Sequence, residues 1–338
     1  MEPGLSSPGS SAQNTKSPER LSQPLAPRGM IRAIAHEGGQ TMAIEDDFFL
    51  TNLELRESTE TGDVASGLSH SSMKGMVLLT VLELAARGVP KGAVTVIHDA
   101  GDTGERYKAI ASDLAEKGWA VALPDLRGHG RTEGDRGHSN GLPEVCRDVQ
   151  EIQDHLAYRM PHEPKVLVGV GLGANYAATY AAQNPGVLAG LVLVSPLAKP
   201  KFERPEAPKG LAKFFKKVLP TSPGRTGYTP DALTSAEAQA TAWSASELCH
   251  DTITLRAIEE AERSAAEHLA AIDGSAQPIL ALHGDQDSIA AADGTRALES
   301  RGVDVRIIEG ARHHLMHDKK SAEVRAAIVS WIDERCSP

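Results

Sequence analysis

Residues 165–175, Lys-Val-Leu-Val-Gly-Val-Gly-Leu-Gly-Ala-Asn, run from an apolar segment into an alanine-rich one through glycines at alternate positions, Gly169, Gly171 and Gly173. The apolar run 165–170 reads as a buried strand, and 174–182 reads as a helix. Between them is a bend on which three of five residues lack a side chain. That composition suits a tight elbow and a helix packed closely on its strand. A strand, an elbow and a helix in this order fit the frame of a parallel sheet with helical crossovers.

The frame holds over most of the sequence. Phe48–Leu55 and Met76–Leu84 are two β-favouring runs separated by a polar loop, which suits an antiparallel edge. Ala93–His98, Trp119–Leu123, 165–170 and Ala189–Val194 are then short strands that alternate with helices at 105–117, 142–158 and 174–182. In the second helix Val145, Val149, Ile152 and Leu156 share one face, and Pro143 lies in its first turn. The rhythm stops at Ser195-Pro196 and resumes at Pro278–His283, with a helix at 291–299, a strand at 303–309 and a last helix at 321–334. The expectation is an α/β fold with a mostly parallel, doubly wound sheet. Its core spans 30–196 and 277–338, and a helical cap, 197–276, is inserted over the carboxyl edge, where open α/β sheets bind ligands. Residues 1–29, rich in Ser, Pro and Gly, are expected to be a disordered tail.

Composition narrows the function. A formal charge of −10 over 338 residues argues against a nucleic-acid partner. No apolar run reaches the roughly 18–20 residues of a membrane span. The N-terminus has no secretory h-region, and three widely spaced cysteines suggest reduced thiols, so a cytoplasmic location is expected. Cys146, on the second helix, is read as a packing residue.

Four segments fall at the carboxyl ends of strands: His98-Asp99-Ala100-Gly101, the bend at Gly171, Asp285-Gln286-Asp287 and Gly310-Ala311-Arg312-His313-His314. A bend, then an acid, then a histidine is the chain order of a nucleophile–acid–base triad on such a sheet. Together with Gly104-Glu105-Arg106-Tyr107, Pro124-Asp125-Leu126-Arg127-Gly128-His129-Gly130 and His283-Gly284-Asp285-Gln286-Asp287, these segments make residues 75–335 resemble the monoacylglycerol lipase and lysophospholipase branch of the α/β-hydrolases, grouped with serine aminopeptidase-like hydrolases. The resemblance implies an α/β-hydrolase fold. It assigns Asp287 as the triad acid, His313 as the base, and the backbone N–H groups of Ala100 and Leu172 as oxyanion donors. Ser246-Glu247-Leu248-Cys249-His250 is similar to a D-P-L-x-H run of bacterial members, differing at its first two positions.

Two departures from the family pattern bear on chemistry. Gly171 stands where G-x-S-x-G carries its serine, and Asp99 stands where the oxyanion loop carries glycine. An inward carboxylate at 99 repels a developing oxyanion, and a triad without its nucleophile loses roughly 10⁶-fold in rate. The leading expectation is therefore a non-hydrolytic pseudoenzyme or ligand-binding protein without cofactor, taking a small-molecule or lipid-like ligand. One alternative is a non-covalent acid/base enzyme using the His313–Asp287 dyad; another is a residual carboxylic-ester hydrolase. Gly169-x-Gly171-x-x-Ala174 also fits a dinucleotide fingerprint, but the strand that follows ends in Ser195-Pro196 with no acid. His313, His314 and His317 cluster as metal ligands do, but no second ligand cluster lies at diagnostic spacing, so no metal is expected. Leu211, Phe214, Phe215, Val218 and Leu219, interleaved with lysines, read as a cap helix packing on the core, with membrane-surface contact as the lesser alternative.

Overall fold

The strand–helix alternation closes into one eight-stranded sheet in the computed structural model, which describes residues 47–55, 77–205, 220–274 and 277–338. The strands are β1 (Phe48–Leu55), β2 (Val77–Leu84), β3 (Gly92–Ile97), β4 (Trp119–Pro124), β5 (Lys165–Val170), β6 (Gly190–Val194), β7 (Pro223–Arg225), β8 (Thr252–Thr254), β9 (Ile279–Gly284) and β10 (Asp304–Ile308). Their order in the sheet is β1-β2-β4-β3-β5-β6-β9-β10, and β7 pairs with β8 alone. Within the eight-stranded sheet β2 alone runs against its neighbours: it is antiparallel to β1 and β4, while the pairs from β4 to β10 are parallel. The expected antiparallel edge and parallel centre are thus both present.

Period-two alternation divides the core between the faces of the sheet. Val166, Val168 and Val170 of β5 pack with Val94 and Val96 on one side, against Ile110 and Leu114 of α1 (Lys108–Glu116) and Trp331 and Ile332 of the C-terminal helix Ser321–Cys336. Leu167, Ile97, Leu191 and Leu193 face the other side, with Val145 and Val149 of α2 (Leu142–Arg159) and the alanines of α3 (Leu172–Gln183). The four apolar residues that the spacing placed on one face of α2 are all buried.

Three local details differ from the sequence reading. The helix expected over 105–117 opens with a 3-10 turn, Gly104–Tyr107, held by the Thr103 side chain on the Glu105 N–H. The segment 197–276, expected as a helical cap, is not helical throughout: β7 and β8 lie in it and pair with each other, a ribbon short enough to leave no periodic signal. α3 begins at Leu172 instead of 174, for a reason that belongs to the site. The tail 1–29 and the amphipathic run 211–219 lie outside the described residues. No helix among the described residues is long and apolar enough to cross a membrane.

Candidate active site

β3 and β5 are neighbours in the sheet, and the chain leaves them in opposite directions: β4 lies beyond β3, and β6 beyond β5. A crevice at the carboxyl ends of two such strands is where this architecture gathers ligand-binding loops. Asp99 follows β3, and Gly171 follows β5.

Gly171 has φ +54° and ψ −117°, a backbone conformation that a residue with a Cβ adopts only under strain. Space is the stronger constraint. A Cβ at 171 would lie 2.1 Å from Asp99 Cγ and 2.1 Å from its Oδ1. The Asp99 carboxylate therefore fills the volume into which a side chain at the elbow would project.

That carboxylate is fully buried and surrounded by donors. Oδ1 accepts from the backbone N–H of Ala100 and of Leu172, each at 2.7 Å, and the Tyr228 hydroxyl lies 3.4 Å away. Oδ2 lies 3.0 Å from His313 Nε2 and 3.3 Å from His314 Nε2. The Leu172 bond explains where α3 starts. The first N–H groups of a helix have no partner within it, and Asp99, from another strand, accepts one of them with a negative charge at the positive end of the helix dipole.

His313 Nδ1 lies 2.6 Å from Asp287 Oδ2. Asp287 Oδ1 accepts from the Ile289 and Ala290 N–H groups, and His283 Nε2 lies 3.0 Å from Oδ2. Burial disfavours a charged imidazole, but two carboxylates on its two nitrogens outweigh it and raise His313 to about 10. Asp99 and Asp287 are both buried, which favours protonation. The His313 and His314 hydrogen bonds hold Asp99, and the His313 charge and the His283 bond hold Asp287, well below the usual carboxylate range. The resting arrangement is carboxylate–imidazolium–carboxylate. His314, buried beside them, is lowered by desolvation and is neutral.

The surrounding loops hold this cluster in place. His98 Nδ1 donates to the Asp99 carbonyl, and its Nε2 accepts from the Leu126 N–H. Asp125 accepts from the Thr103 hydroxyl and from the Gly104 and Arg131 N–H groups. The 124–130 loop thus fixes the turn that aims Asp99. His250, from the segment between β6 and β9, binds the same turns: its N–H donates to Gly101 O, and its Nε2 donates to Gly128 O. Burial pushes the Cys146 and Cys249 thiols up to about 12, so both stay protonated.

The structure thus brings together Asp99, Ala100, Gly171, Leu172, Asp287 and His313, the residues singled out in the sequence. It adds Tyr228 and Ser195, which had no motif to mark them, and gives His283, the first residue of the acid-loop motif, a contact with Asp287. Ser195 is buried with φ +48°, the one non-glycine with positive φ among the described residues, and its hydroxyl donates to the His313 carbonyl. A pause after a strand was its only sequence signal. A small, partly open cleft lies beside Ala100 and Leu172, walled by Leu126, Val145, Tyr176 and Ile253, with Arg127 and Asp148 also on its lining.

The sheet, the elbow and the two loops that meet it have a counterpart among known proteins. The profile of the family described as serine aminopeptidase, S33, matches residues 88–320. The chain belongs to that family. Every residue of the cluster falls within the match. Monoacylglycerol lipase of Mycolicibacterium smegmatis is 26% identical over 72% of this chain and 88% of its own length. Human monoglyceride lipase is 29% identical, over 73% of this chain and 84% of its own. The crystal structure of Paleococcus ferrophilus monoacylglycerol lipase superposes with a TM-score of 0.65 at 25% identity, covering 76% of this chain and 99% of that one. The fold is the α/β-hydrolase fold, and the chain resembles its monoacylglycerol lipase-like members.

Proposed function

We propose that this chain is a non-hydrolytic member of its family, which binds a small apolar or lipid-like molecule in the cleft beside Ala100 and Leu172 and does not cleave it through an acyl-serine. One observation carries the reading: Asp99 Oδ1 already accepts from both backbone N–H groups that stand in the oxyanion-donor positions. A substrate carbonyl entering there meets a fixed anion where its own negative charge must develop. Loss of a single oxyanion donor costs about 10²–10³ in kcat; here both are engaged, and Gly171 offers no nucleophile. The apolar walls of the cleft and the lipid-ester activity in the names of its relatives, monoacylglycerol lipase and monoglyceride lipase, support this ligand class.

The dyad alternative has less support. Its base nitrogen, His313 Nε2, faces a carboxylate and carries a proton, so it has no lone pair free for a substrate.

The test is hydrolysis of short-chain p-nitrophenyl esters and monoacylglycerols, with fluorophosphonate labelling. The parent chain should be inert in both. Gly171→Ser alone should stay inert, because its side chain collides with Asp99. Gly171→Ser with Asp99→Gly should gain both labelling and turnover. Turnover by the parent at ordinary enzyme rates, lost in His313→Ala, overturns the reading.

A further inference from the structure

We infer that Asp99, His313 and His314 form a binding site for one divalent transition ion of the zinc or cobalt kind. Three buried donor atoms, Asp99 Oδ2 and the Nε2 atoms of both histidines, lie within 4.8 Å of one another. Two of the separations are 3.0 and 3.3 Å. Four ligands about 2.0–2.2 Å from a tetrahedral ion are roughly 3.3–3.6 Å apart, so an ion fits between these atoms after a small outward movement of the side chains. Two imidazoles with one carboxylate select zinc, cobalt or nickel over the all-oxygen preference of magnesium and calcium.

The supporting contacts are those a metal site uses. A ligating histidine is oriented by a carboxylate on its other nitrogen, and Asp287 holds His313 Nδ1 in that way. A ligating carboxylate is itself hydrogen-bonded, and Asp99 Oδ1 is held by two backbone N–H groups while Oδ2 faces the histidines. The rings of His313 and His314 stack with centroids 5.6 Å apart, so both Nε2 atoms reach one point. Without an ion, both Nε2–H groups donate to Asp99. Binding releases the His313 Nε2 proton to solvent and moves that of His314 to Nδ1. Arg106 Nη1, 3.4 Å from that Nδ1, then keeps Asp102 as its partner at 2.9 Å.

Asp99 is the missing ligand. The histidine run alone looked incomplete, and the fold brings a carboxylate to it from 214 residues away. His317 is not part of the set: its ring packs on Tyr107, and its Nε2 has no partner. The inference does not depend on the non-hydrolytic reading, since ion binding is measured without substrate.

The experiment uses the untagged full-length chain, stripped with a chelator and dialysed, then titrated with zinc chloride by calorimetry and with cobalt chloride by visible absorption. The expected result is one equivalent bound, with intense low-coordination cobalt bands. His314→Gln and Asp99→Asn should weaken binding at least ~100-fold, and Asp287→Asn should weaken it about 10–100-fold. His317→Gln should bind as the parent does. No stoichiometric binding by the folded, stripped parent overturns the inference, as does unchanged affinity in folded His314→Gln. If the variants of the cluster do not fold, the cobalt spectrum of the parent decides: weak, octahedral-type bands count against the site.

Discussion

The backbone N–H of Leu172 donates to Asp99 Oδ1 across 2.7 Å, joining the start of α3 to the end of β3 although 73 residues separate them. The same carboxylate leaves no volume for a side chain at Gly171. The two unusual residues of the site are therefore one steric unit, with the anion taking the space that the glycine leaves open.

Gly171→Ala should destabilise the chain by about 3 kcal/mol, combining unfavourable φ with overpacking against Asp99. In an Asp99→Gly background the clash is gone and only the backbone strain remains. A urea-denaturation cycle over the four forms should give a coupling energy of about 1 kcal/mol or more. Additive effects would refute the steric link.

Gly169 packs for a different reason. A Cβ there would lie 2.4 Å from Gly173 O and 2.5 Å from Ala174 Cα, both backbone atoms of the elbow and α3. Gly169→Ala must therefore push α3 away from β5, at a cost of about 2–3 kcal/mol in chemical denaturation. Gly186→Ala, with φ +78° and nothing near its Cβ, should cost about 1 kcal/mol from backbone strain alone. Equal losses would mean that close packing is not what the elbow glycines provide.

Arg127 and Asp148 form a buried two-point pair beside the cleft, with Nη2–Oδ1 at 2.8 Å and Nε–Oδ2 at 3.2 Å. Burial raises the Asp148 carboxyl to about 6 despite the guanidinium. Arg127→Met strands the carboxylate and should cost about 3 kcal/mol at pH 8. The folded carboxyl titrates above its unfolded value near 3.9, so the folded state takes up the proton first as pH falls. Stability lost above pH 6 should therefore be partly recovered at pH 5 in the variant. A deficit of the same size at both pH values would contradict this.

His250 is lowered to about 4 by desolvation and by the charge of Arg136, and its ring lies tilted against that of His129 with centroids 4.8 Å apart. An unfolded histidine titrates near 6.5, so the unfolded state takes up the proton first as pH falls. The stability from this group is present above pH 6.5 and is lost between 6.5 and about 4, at most about 3 kcal/mol. His250→Asn should flatten the decline of melting temperature with acid over that window. A variant whose profile parallels the parent's would show that other groups set the acid limb.

The fold was legible because its signals are local. Buried strands of five or six residues, the single apolar face of α2 and the glycine spacing of 169–173 each follow from the near neighbours of a residue in the chain. The ribbon of β7 and β8 was not legible, because three-residue strands carry no periodicity. Tyr228 and Ser195 lacked any motif, since each earns its place by a contact with a distant loop.

By itself, the sequence determined the architecture and named the six positions that meet at the carboxyl ends of β3 and β5. It also showed that position 171 has no side chain. Only the tertiary structure decided where the Asp99 carboxylate points. That direction depends on the distance between two adjacent parallel strands, on unpaired N–H groups at the start of a helix, and on the volume that Gly171 leaves empty. None of these is a property of the residues around 99 in the chain. Together they place an anion against His313 and His314 and leave the elbow no room for a side chain.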